Sequence, residues 1–269
     1  MKPIALATIA ALIAVGARAQ QNQGVVVYSR VVQMQIRFSE SNDGMENVLP
    51  KTRSDKFELS FANNASLWKQ MEPEEQDDVM AGGGGGGGFQ VRMIGAGADD
   101  IMYSNFDASR RVELRELGTK KYIVEDSIRR MGWKLSEETK TILGHVCRKA
   151  TSQRIGTRMM MSMENGQMER KEVSDTSNIV AWFTTTIPVS SGPGEYQGQL
   201  PGLILEIDVN NGRTVYKALE IKQKVDVAVI KEPKGAKKLT PAEFNKERDK
   251  MLEEMSRNSG PGRTIRISN

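Results

Sequence analysis

Two residue types that carry much of protein chemistry are nearly absent from this sequence of 269 residues, which has one cysteine and one histidine. The single cysteine, Cys147, excludes a disulfide within the chain. The single histidine, His145, excludes a histidine-rich zinc site or a two-histidine iron site built by one copy of the chain. A serine triad would have to use His145, and no serine lies in a nucleophile-elbow pattern. The sequence therefore argues against these enzyme classes.

A strong charge of either sign is also lacking, because the formal net charge is only +4. Basic residues are interspersed with acidic ones and form only small clusters. Nucleic-acid binding needs a basic stripe, preferably with aromatic residues between the charges, and aromatic residues make up only 6% of the chain. We therefore predict no nucleic-acid partner.

The N-terminal hydrophobic run at 4–15 is too short for a transmembrane helix, and no later hydrophobic run is long enough for one. Twelve helical residues cover about 18 Å, well under the ~30 Å of a bilayer core. Lys2 precedes this run, and Ala17-Arg18-Ala19 follows it with the small-x-small pattern of a signal-peptidase site. We predict a signal peptide over residues 1–19, cleaved after Ala19. The mature chain is then expected to be periplasmic or secreted, without a transmembrane segment.

Apolar and polar residues alternate with period two along most of the chain, the pattern of half-buried strands. Within 51–61, for example, Phe57, Leu59 and Phe61 are predicted to point inward. Other predicted strands are 25–38, 101–106, 111–117, 120–126, 141–150 with an extension over 154–158, 179–187, 203–209 and 214–230. Polar turns separate them, which favours antiparallel pairing. The sequence predicts a mainly β fold, a curved antiparallel sheet or half-barrel forming a single domain over 20–230.

Two segments depart from this pattern. Residues 72–98 combine an acidic run with seven consecutive glycines, and no Gly-Lys-Ser/Thr follows to make a phosphate-binding loop; we predict a flexible Gly-rich insertion. Residues 231–269 are predicted to form a basic linker, a surface helix over 241–257 and a loose basic tail. Thr240-Pro241-Ala242-Glu243 has the capping box and the first-turn proline of a helix start.

The hexapeptide Gln199-Leu200-Pro201-Gly202-Leu203-Ile204 resembles the signature of the GLPGLI family of exported bacterial proteins. The similarity extends upstream to Trp133-Lys134-Leu135, to 144–151 and to 181–184. Gln199 stands where the signature has its first glycine, and Gly198 lies one position earlier, so a turn that needs positive φ would shift by one residue. The resemblance implies export and a β-rich fold, and it assigns no activity and no catalytic residue.

The hexapeptide has a structural interpretation that does not depend on the family. Pro201 fixes φ and lacks an N–H donor, which suits the start of a strand or a sheet edge. Gly202 would allow a close approach, for which we consider the ring of Trp182 or Tyr196. Leu203, Leu205, Ile207 and Val209 are then predicted to share one face. We interpret the motif first as a structural corner and second as a ligand contact.

The function favoured by these observations is that of an exported periplasmic accessory or binding protein without catalytic activity. Its ligand would be a small apolar or peptide-like molecule, or its partner an outer-membrane or other envelope protein. Four aromatic residues could line such a site or belong to the core: Trp133, Trp182, Phe183 and Tyr196.

Copper binding is the alternative. His145 and Cys147 are at i and i+2 and share a strand face, and Met161, Met163 and Met168 follow them along the chain. Thiolate and thioether ligands select Cu(I). Methionine also fills irregular cores, however, and a buried, inert thiol is the ordinary state of a lone cysteine. Both interpretations remain open from the sequence.

Overall fold

The structure is a computed structural model that describes residues 21–33, 52–72, 100–164 and 167–258, without the side chains of 157–173, 252 and 255–258. The predicted signal peptide, the end of the first predicted strand, the glycine-rich insertion and the C-terminal tail lie outside these residues. The elements are β1 (Gly24–Gln33), β2 (Thr52–Ala62), β3 (Ala65–Gln70), β4 (Ile101–Asn105), β5 (Arg110–Leu117), β6 (Lys120–Ser127), β7 (Lys134–Ile142), β8 (His145–Glu164), β9 (Gln167–Thr184), β10 (Leu203–Val209), β11 (Thr214–Lys222), β12 (Lys237–Leu239) and helix α1 (Pro241–Asn258).

The described strands form one twelve-stranded sheet in the order β12-β6-β5-β4-β3-β2-β1-β11-β10-β9-β8-β7. All neighbours are antiparallel except β12, which runs parallel to β6. Strands β1 to β6 make one meander and β7 to β11 a second, and the two join where β1 pairs with β11. The predicted mainly β, antiparallel sheet with one C-terminal helix is confirmed.

A short connection forces this sheet to curve. Strands β6 and β7 lie ten strand positions apart in the sheet, which is about 48 Å across a flat sheet at ~4.8 Å per strand. Residues 128–133, the crossover linker, join them directly, and the seven Cα steps from Ser127 to Lys134 reach at most about 25 Å. The two ends of the sheet must therefore bend toward each other.

Turn residues with positive φ set several hairpins. Asn63 and Asn64 (φ 51° and 54°) join β2 to β3, where the sequence predicts a turn. Leu143 and Gly144 (φ 48° and 80°) join β7 to β8, so the strand predicted over 141–150 is wrong as one element. Gly144 tolerates the left-handed conformation that ends β7, and this two-residue turn interrupts an otherwise apolar run.

A bulge changes the face predicted for β10. The β9–β10 register shifts between Ile204 and Glu206, so Leu203 and Leu205 enter one hydrophobic cluster while Ile207 joins Ile204 in another. The single face predicted for Leu203, Leu205, Ile207 and Val209 is therefore wrong. An extra residue on one strand of a pair reverses the alternation beyond it.

Strand β11 shows the same effect and is shorter than predicted. A bulge opposite Val27 and Tyr28 leaves Leu219 45% exposed and buries Ala218 instead. The strand ends at Lys222, not at 230, and a 3-10 turn at Val227–Val229 follows. The pattern of 223–230 matched a strand, but these residues pair with no strand among those described.

The core is divided into two main clusters within the curved sheet. One contains Val26, Tyr28, Leu59, Phe61 and Trp68 together with residues of β7, β8 and β10, and the other is centred on β9. Tyr216 packs against both clusters. Tyr28 Oη also donates a 2.6 Å hydrogen bond to Ile204 O, which ties β1 to β10 across the interior.

The C-terminal segment closes the β6 edge. Strand β12 pairs with β6, whereas the sequence predicts a linker over 231–238 and no strand there. Helix α1 begins with the predicted capping box, in which Thr240 N donates to Glu243 Oε2 at 2.7 Å. Phe244 is buried and packs edge-on against Tyr122, 6.0 Å between centroids. Within the described part of the chain, no helix has the length and hydropathy to cross a membrane.

Candidate functional site

The segment between β9 and β10, residues 185–202, is the corner loop, and it fills the inside of the curved sheet. Its buried side chains are Ile187, Val189, Ser191, Pro193, Tyr196, Gln197 and Leu200. Gln197 accepts a hydrogen bond from Ser66 Oγ of β3 and lies 3.6 Å from Met102 Sδ of β4. The loop therefore belongs to the second meander and packs against the first.

Gln199 fastens the corner loop to the crossover linker. Its Oε1 accepts from Met131 N at 2.9 Å and from Trp133 Nε1 at 3.4 Å, and its Nε2 donates to Arg129 O at 3.0 Å. The predicted shift of the turn by one residue is present, because Gly198 has the positive φ of +72°. The residue that departs from the signature thus holds the connection that curves the sheet.

Gly202 makes the close approach that the sequence predicts, but to a different group. A Cβ at Gly202 would lie 2.2 Å from Thr184 O, the backbone of β9, and not against the ring of Trp182 or Tyr196. Pro201 is exposed and lies two residues before β10, consistent with its predicted place at a strand start. The geometry of Pro201 and Gly202 is that of a structural corner.

Two cavities share the Arg154–Glu195 ion pair in their linings, and the Nη1 and Oε1 atoms of this pair lie 2.6 Å apart. The first has a volume of about 190 Å³ and the second about 230 Å³. We call the two together the polar groove. The first is lined by Ser104, Arg111, Asp126, Ser127, Ile128, Arg129, Met131, Gln197 and Gln199, and the second by Arg30, Val32, Tyr196, Val209, Thr214 and Tyr216, besides the shared pair.

Charge in the first cavity is mixed and mostly paired. Arg111 Nη2 lies 3.5 Å from Asp126 Oδ2, and Arg129 Nη2 lies 3.7 Å from Asp126 Oδ1. Each guanidinium has five N–H donors, so these contacts leave donors for a ligand. Ser104 is fully buried, and its Oγ has no hydrogen-bond partner among the described residues. Because buried polar atoms are normally satisfied, Ser104 Oγ marks a point where a polar ligand atom can bind.

The second cavity is walled by tyrosines and by Arg30. Burial, and next the charge of Glu195, raise the pKa of Tyr196, and burial raises the pKa of Tyr216. Both hydroxyls therefore stay protonated over the physiological range. Arg30 Nη2 donates to Asp55 Oδ2 at 2.7 Å, and its guanidinium lies 4.7 Å from the centre of the Phe57 ring. This wall is cationic and able to donate hydrogen bonds.

The structure divides the four predicted aromatic residues. Phe183 and Tyr196 are buried in the cluster centred on β9, and Trp133 packs at its margin. Trp182 packs against the other cluster, and Lys140 Nζ lies 4.4 Å from its ring centre. Consecutive residues of a strand point to opposite faces, so Trp182 and Phe183 cannot line one site together. Only Tyr196 lines the polar groove.

The residues of the copper hypothesis are spread along the β8–β9 hairpin, with Met168 at the start of β9 and the others on β8. His145 opens β8, and its Nδ1 lies 2.8 Å from Thr186 Oγ1. Cys147 is fully buried, and burial raises the pKa of its thiol to about 11. Met161 lies fourteen residues further along β8, about 46 Å away at ~3.3 Å per residue. The backbone of one chain therefore does not bring His145 and Cys147 together with Met161, Met163 and Met168.

Among the described residues, no group of three or more histidine, cysteine, aspartate or glutamate side chains is arranged to hold a metal ion. The groove residues Ser104, Arg111, Arg154 and Glu195 were not predicted as site residues. Arg154 and Glu195 are 41 positions apart, and charged residues spread over the whole chain carry no signal that would single out this pair.

Comparisons with known proteins identify a family segment and a fold. Residues 133–206 match the family described as "Protein of unknown function (Porph_ging)", which is the GLPGLI family. The resemblance predicted from the hexapeptide is thereby confirmed over these residues, which run from the end of the crossover linker into β10. No curated protein matches the chain.

Two solved structures of PNGF-II, in space groups P21 and C2, share the fold. Both have a TM-score of 0.50, with 15% and 16% sequence identity, and both alignments cover 85% of this chain. They cover 34% and 33% of the PNGF-II chains, so this chain spans about a third of their length. At this identity the likeness concerns the fold alone.

Proposed function

We propose that the mature chain is an exported periplasmic accessory protein, without catalytic activity, that binds a peptide-like ligand in the polar groove. The ligand is a free peptide or a segment displayed by an envelope protein. The observation that carries this proposal is the unpartnered, fully buried Ser104 Oγ beside Arg111 and Arg154. Export is supported by the signal-peptide pattern of residues 1–19.

The size and polarity of the groove support a peptide-like ligand over an apolar one. Volumes of about 190 and 230 Å³ fall below the ~300–1,000 Å³ typical of pockets that enclose a whole organic ligand. Each cavity fits a side chain or a chain terminus. Arginine donors bind carboxylates with two parallel hydrogen bonds, so the preferred occupant of the first cavity is a C-terminal carboxylate.

The absence of catalysis is supported by the chemistry of the groove lining. The lining of the two cavities includes no histidine, cysteine or lysine. The carboxylates of Asp126 and Glu195 each lie against an arginine. His145 and Cys147, the residues best suited to proton transfer and nucleophilic attack, are not among the groove-lining residues.

Calorimetric titration with short peptides tests the proposal, using Ser104→Ala and the matched control Ser191→Ala. Both serines are fully buried and neither Oγ has a hydrogen-bond partner among the described residues, but only Ser104 lines the groove. We expect Ser104→Ala to weaken binding about fivefold, the loss of one hydrogen bond of ~1 kcal/mol, and Ser191→Ala to leave it unchanged. Amidating the peptide C-terminus should weaken binding, while acetylating its N-terminus should not. Equal effects of the two serine variants, or no binding of any peptide, would contradict the proposal.

A further inference from the structure

The β8–β9 hairpin extends well beyond the rest of the sheet. The two strands pair without a break from Arg148 opposite Phe183 to Glu164 opposite Gln167. Strand β7 pairs with β8 only as far as Thr151, and β10 pairs with β9 only from Ile179. Residues 153–164 and 167–178, which we call the arm, therefore form a two-stranded ribbon with no third strand among the described residues. Twelve residues of strand extend about 40 Å at ~3.3 Å each.

The base of the arm is fixed by specific contacts. Asn210 N donates to Asn178 O at 2.9 Å, and Asn210 Oδ1 accepts from Asn178 N at 2.8 Å, which ends the β10 side of the pairing. On the other side, Ser152 Oγ donates to Gly132 O of the crossover linker at 2.9 Å. Arg154, the first charged residue of the arm, is held by Glu195. The direction in which the arm leaves the sheet is therefore set by the fold.

A two-stranded ribbon is stabilised when a further strand pairs with one of its edges. An isolated two-stranded hairpin is only marginally stable in water, and an open edge presents unpaired N–H and C=O groups to any extended chain. Ile155, at the base of the arm, is 80% exposed, more than any other large hydrophobic residue whose side chain the structure describes. Among the described residues, the edge of β8 beyond Thr151 therefore has no partner strand, and it carries one exposed apolar side chain near its start, that of Ile155.

The sequence of the arm favours a second copy of itself as that strand. Residues 153–178 carry four basic and four acidic residues, so two arms do not repel each other through net charge. If two β8 edges meet antiparallel about a two-fold axis at Met159, residue numbers of opposed pairs sum to 318. Arg154 then lies opposite Glu164, and Ile155 opposite Met163. Opposite charges and apolar pairs are the cross-strand combinations that stabilise a sheet.

We propose that the mature protein forms a two-fold dimer in which the β8 edges of two arms pair about Met159 into a four-stranded sheet. The interface is isologous, as expected of a two-fold contact. The observation behind it is separate from the polar groove, because it is the extent of strand pairing, although Arg154 belongs to both the arm and the groove lining.

Site-directed cysteine crosslinking of the full mature chain under diamide tests both the contact and its register. Residues directly opposite in an antiparallel pair have Cα atoms about 4.5–5.5 Å apart, within disulfide range. We expect Met159→Cys to crosslink with itself. Thr157→Cys and Met161→Cys should each fail to crosslink alone but crosslink when mixed, because 157 lies opposite 161. The native chain, whose Cys147 is buried, is the control and should give no covalent dimer.

Sedimentation of the chain before oxidation gives the second readout, and far-UV circular dichroism checks that each variant folds. We expect the mass of a dimer for the native chain. A monomer by sedimentation, or Thr157→Cys crosslinking with itself as readily as with Met161→Cys, would overturn the proposal. A strand supplied by another protein instead of a second copy would produce the first of these results.

Discussion

Only glycine fits at position 202, because a Cβ there would lie 2.2 Å from the backbone oxygen of Thr184 in β9. The opposing atom is backbone and cannot rotate away. We expect Gly202→Ala to lower the free energy of unfolding by about 2–3 kcal/mol, as overpacked core substitutions do. Urea denaturation measures this.

Gly132→Ala is the matched control for Gly202→Ala, because no atom lies within 4 Å of a Cβ at Gly132. Its effect should stay within about 0.5 kcal/mol. If both variants had the same small effect, the close approach of β9 to Gly202 would not be part of the folded state.

Gln199 is the residue at which the corner loop holds the crossover linker. Replacing it by glycine, as in the family signature, leaves the N–H of Met131 without its partner at 2.9 Å. We expect a loss of about 1–3 kcal/mol of stability by urea denaturation, the cost of unpairing partly buried groups.

The variant Gln199→Glu separates the two halves of that contact. A glutamate keeps an acceptor for Met131 N but removes the donor to Arg129 O. An intermediate stability is the expected result. A Gln199→Gly chain as stable as the native one would show that the linker is held by other contacts.

Cys147 is predicted to be inert toward alkylating reagents while the chain is folded. Burial raises the pKa of its thiol to about 11, so at pH 8 the reactive thiolate is scarce, and the side chain is fully buried. Mass spectrometry after iodoacetamide treatment should find Cys147 unmodified until urea is added. Val146→Cys, at a neighbouring position that is 59% exposed, should react in the folded protein; fast labelling of Cys147 itself would contradict its burial.

Single residues show clearly what the sequence can and cannot predict. Phe57, Leu59 and Phe61 are buried as their alternation predicts. Gly202 is recognisable as a close contact, but not the atom it contacts, because that atom comes from a strand 18 residues earlier in the chain. The neighbours of Ser104 and Arg154 in the groove lining are unpredictable for the same reason: tertiary contacts bring these residues together, and no local pattern encodes those contacts.

Among the elements, strands are predictable where alternation and turn residues coincide. Strands β4, β5 and β6 fall where short alternating runs lie between polar turns. The bulges in β10 and β11 are not predictable, since an extra residue changes the face without a mark in composition. Strand β12 is three residues long and basic, and only its pairing with β6 makes it a strand.

The C-terminal segment that contains β12 and α1 should loosen in acid. Arg110 binds Glu232 with two hydrogen bonds of 2.8 and 2.9 Å and also contacts Glu125. These hydrogen bonds lower the pKa of both carboxyl groups below the ordinary glutamate value. A lowered folded-state pKa gives stability that is complete above the unfolded value and is lost as pH falls through the folded value. Hydrogen exchange in β12 should therefore rise, after correction for intrinsic rates, as the solution is acidified below about pH 4.

Arg110→Gln tests the origin of that acid sensitivity. Without the guanidinium, exchange in β12 should already be raised at neutral pH and should change less on acidification. Lys222→Gln, which removes a surface ion pair with Glu220 elsewhere in the sheet, is the control and should keep the native pH response. Unchanged exchange in Arg110→Gln would mean that Phe244 and its neighbours alone hold the segment.

For the whole molecule, we expect the two meanders to unfold together. They share the β1–β11 ladder, the contacts of Tyr216 with both clusters, and the hydrogen bond from Tyr28 to Ile204. One of the three tryptophans, Trp68, lies in the first meander and Trp182 lies in the second. In variants whose sole tryptophan is Trp68 or Trp182, tryptophan fluorescence and far-UV circular dichroism should give the same urea midpoint. Two separate midpoints in one variant would show independent halves.

The pairing of β1 with β11 also has a kinetic consequence. Val25 of β1 lies opposite Lys222 of β11, so β1 cannot pair with β11 until most of the chain has been synthesised. Contacts this distant in sequence slow folding, because the entropy of closing the loop is lost before the contact forms. Slow folding keeps the chain extended for longer, which is the state in which the proposed export would thread it through a translocation channel.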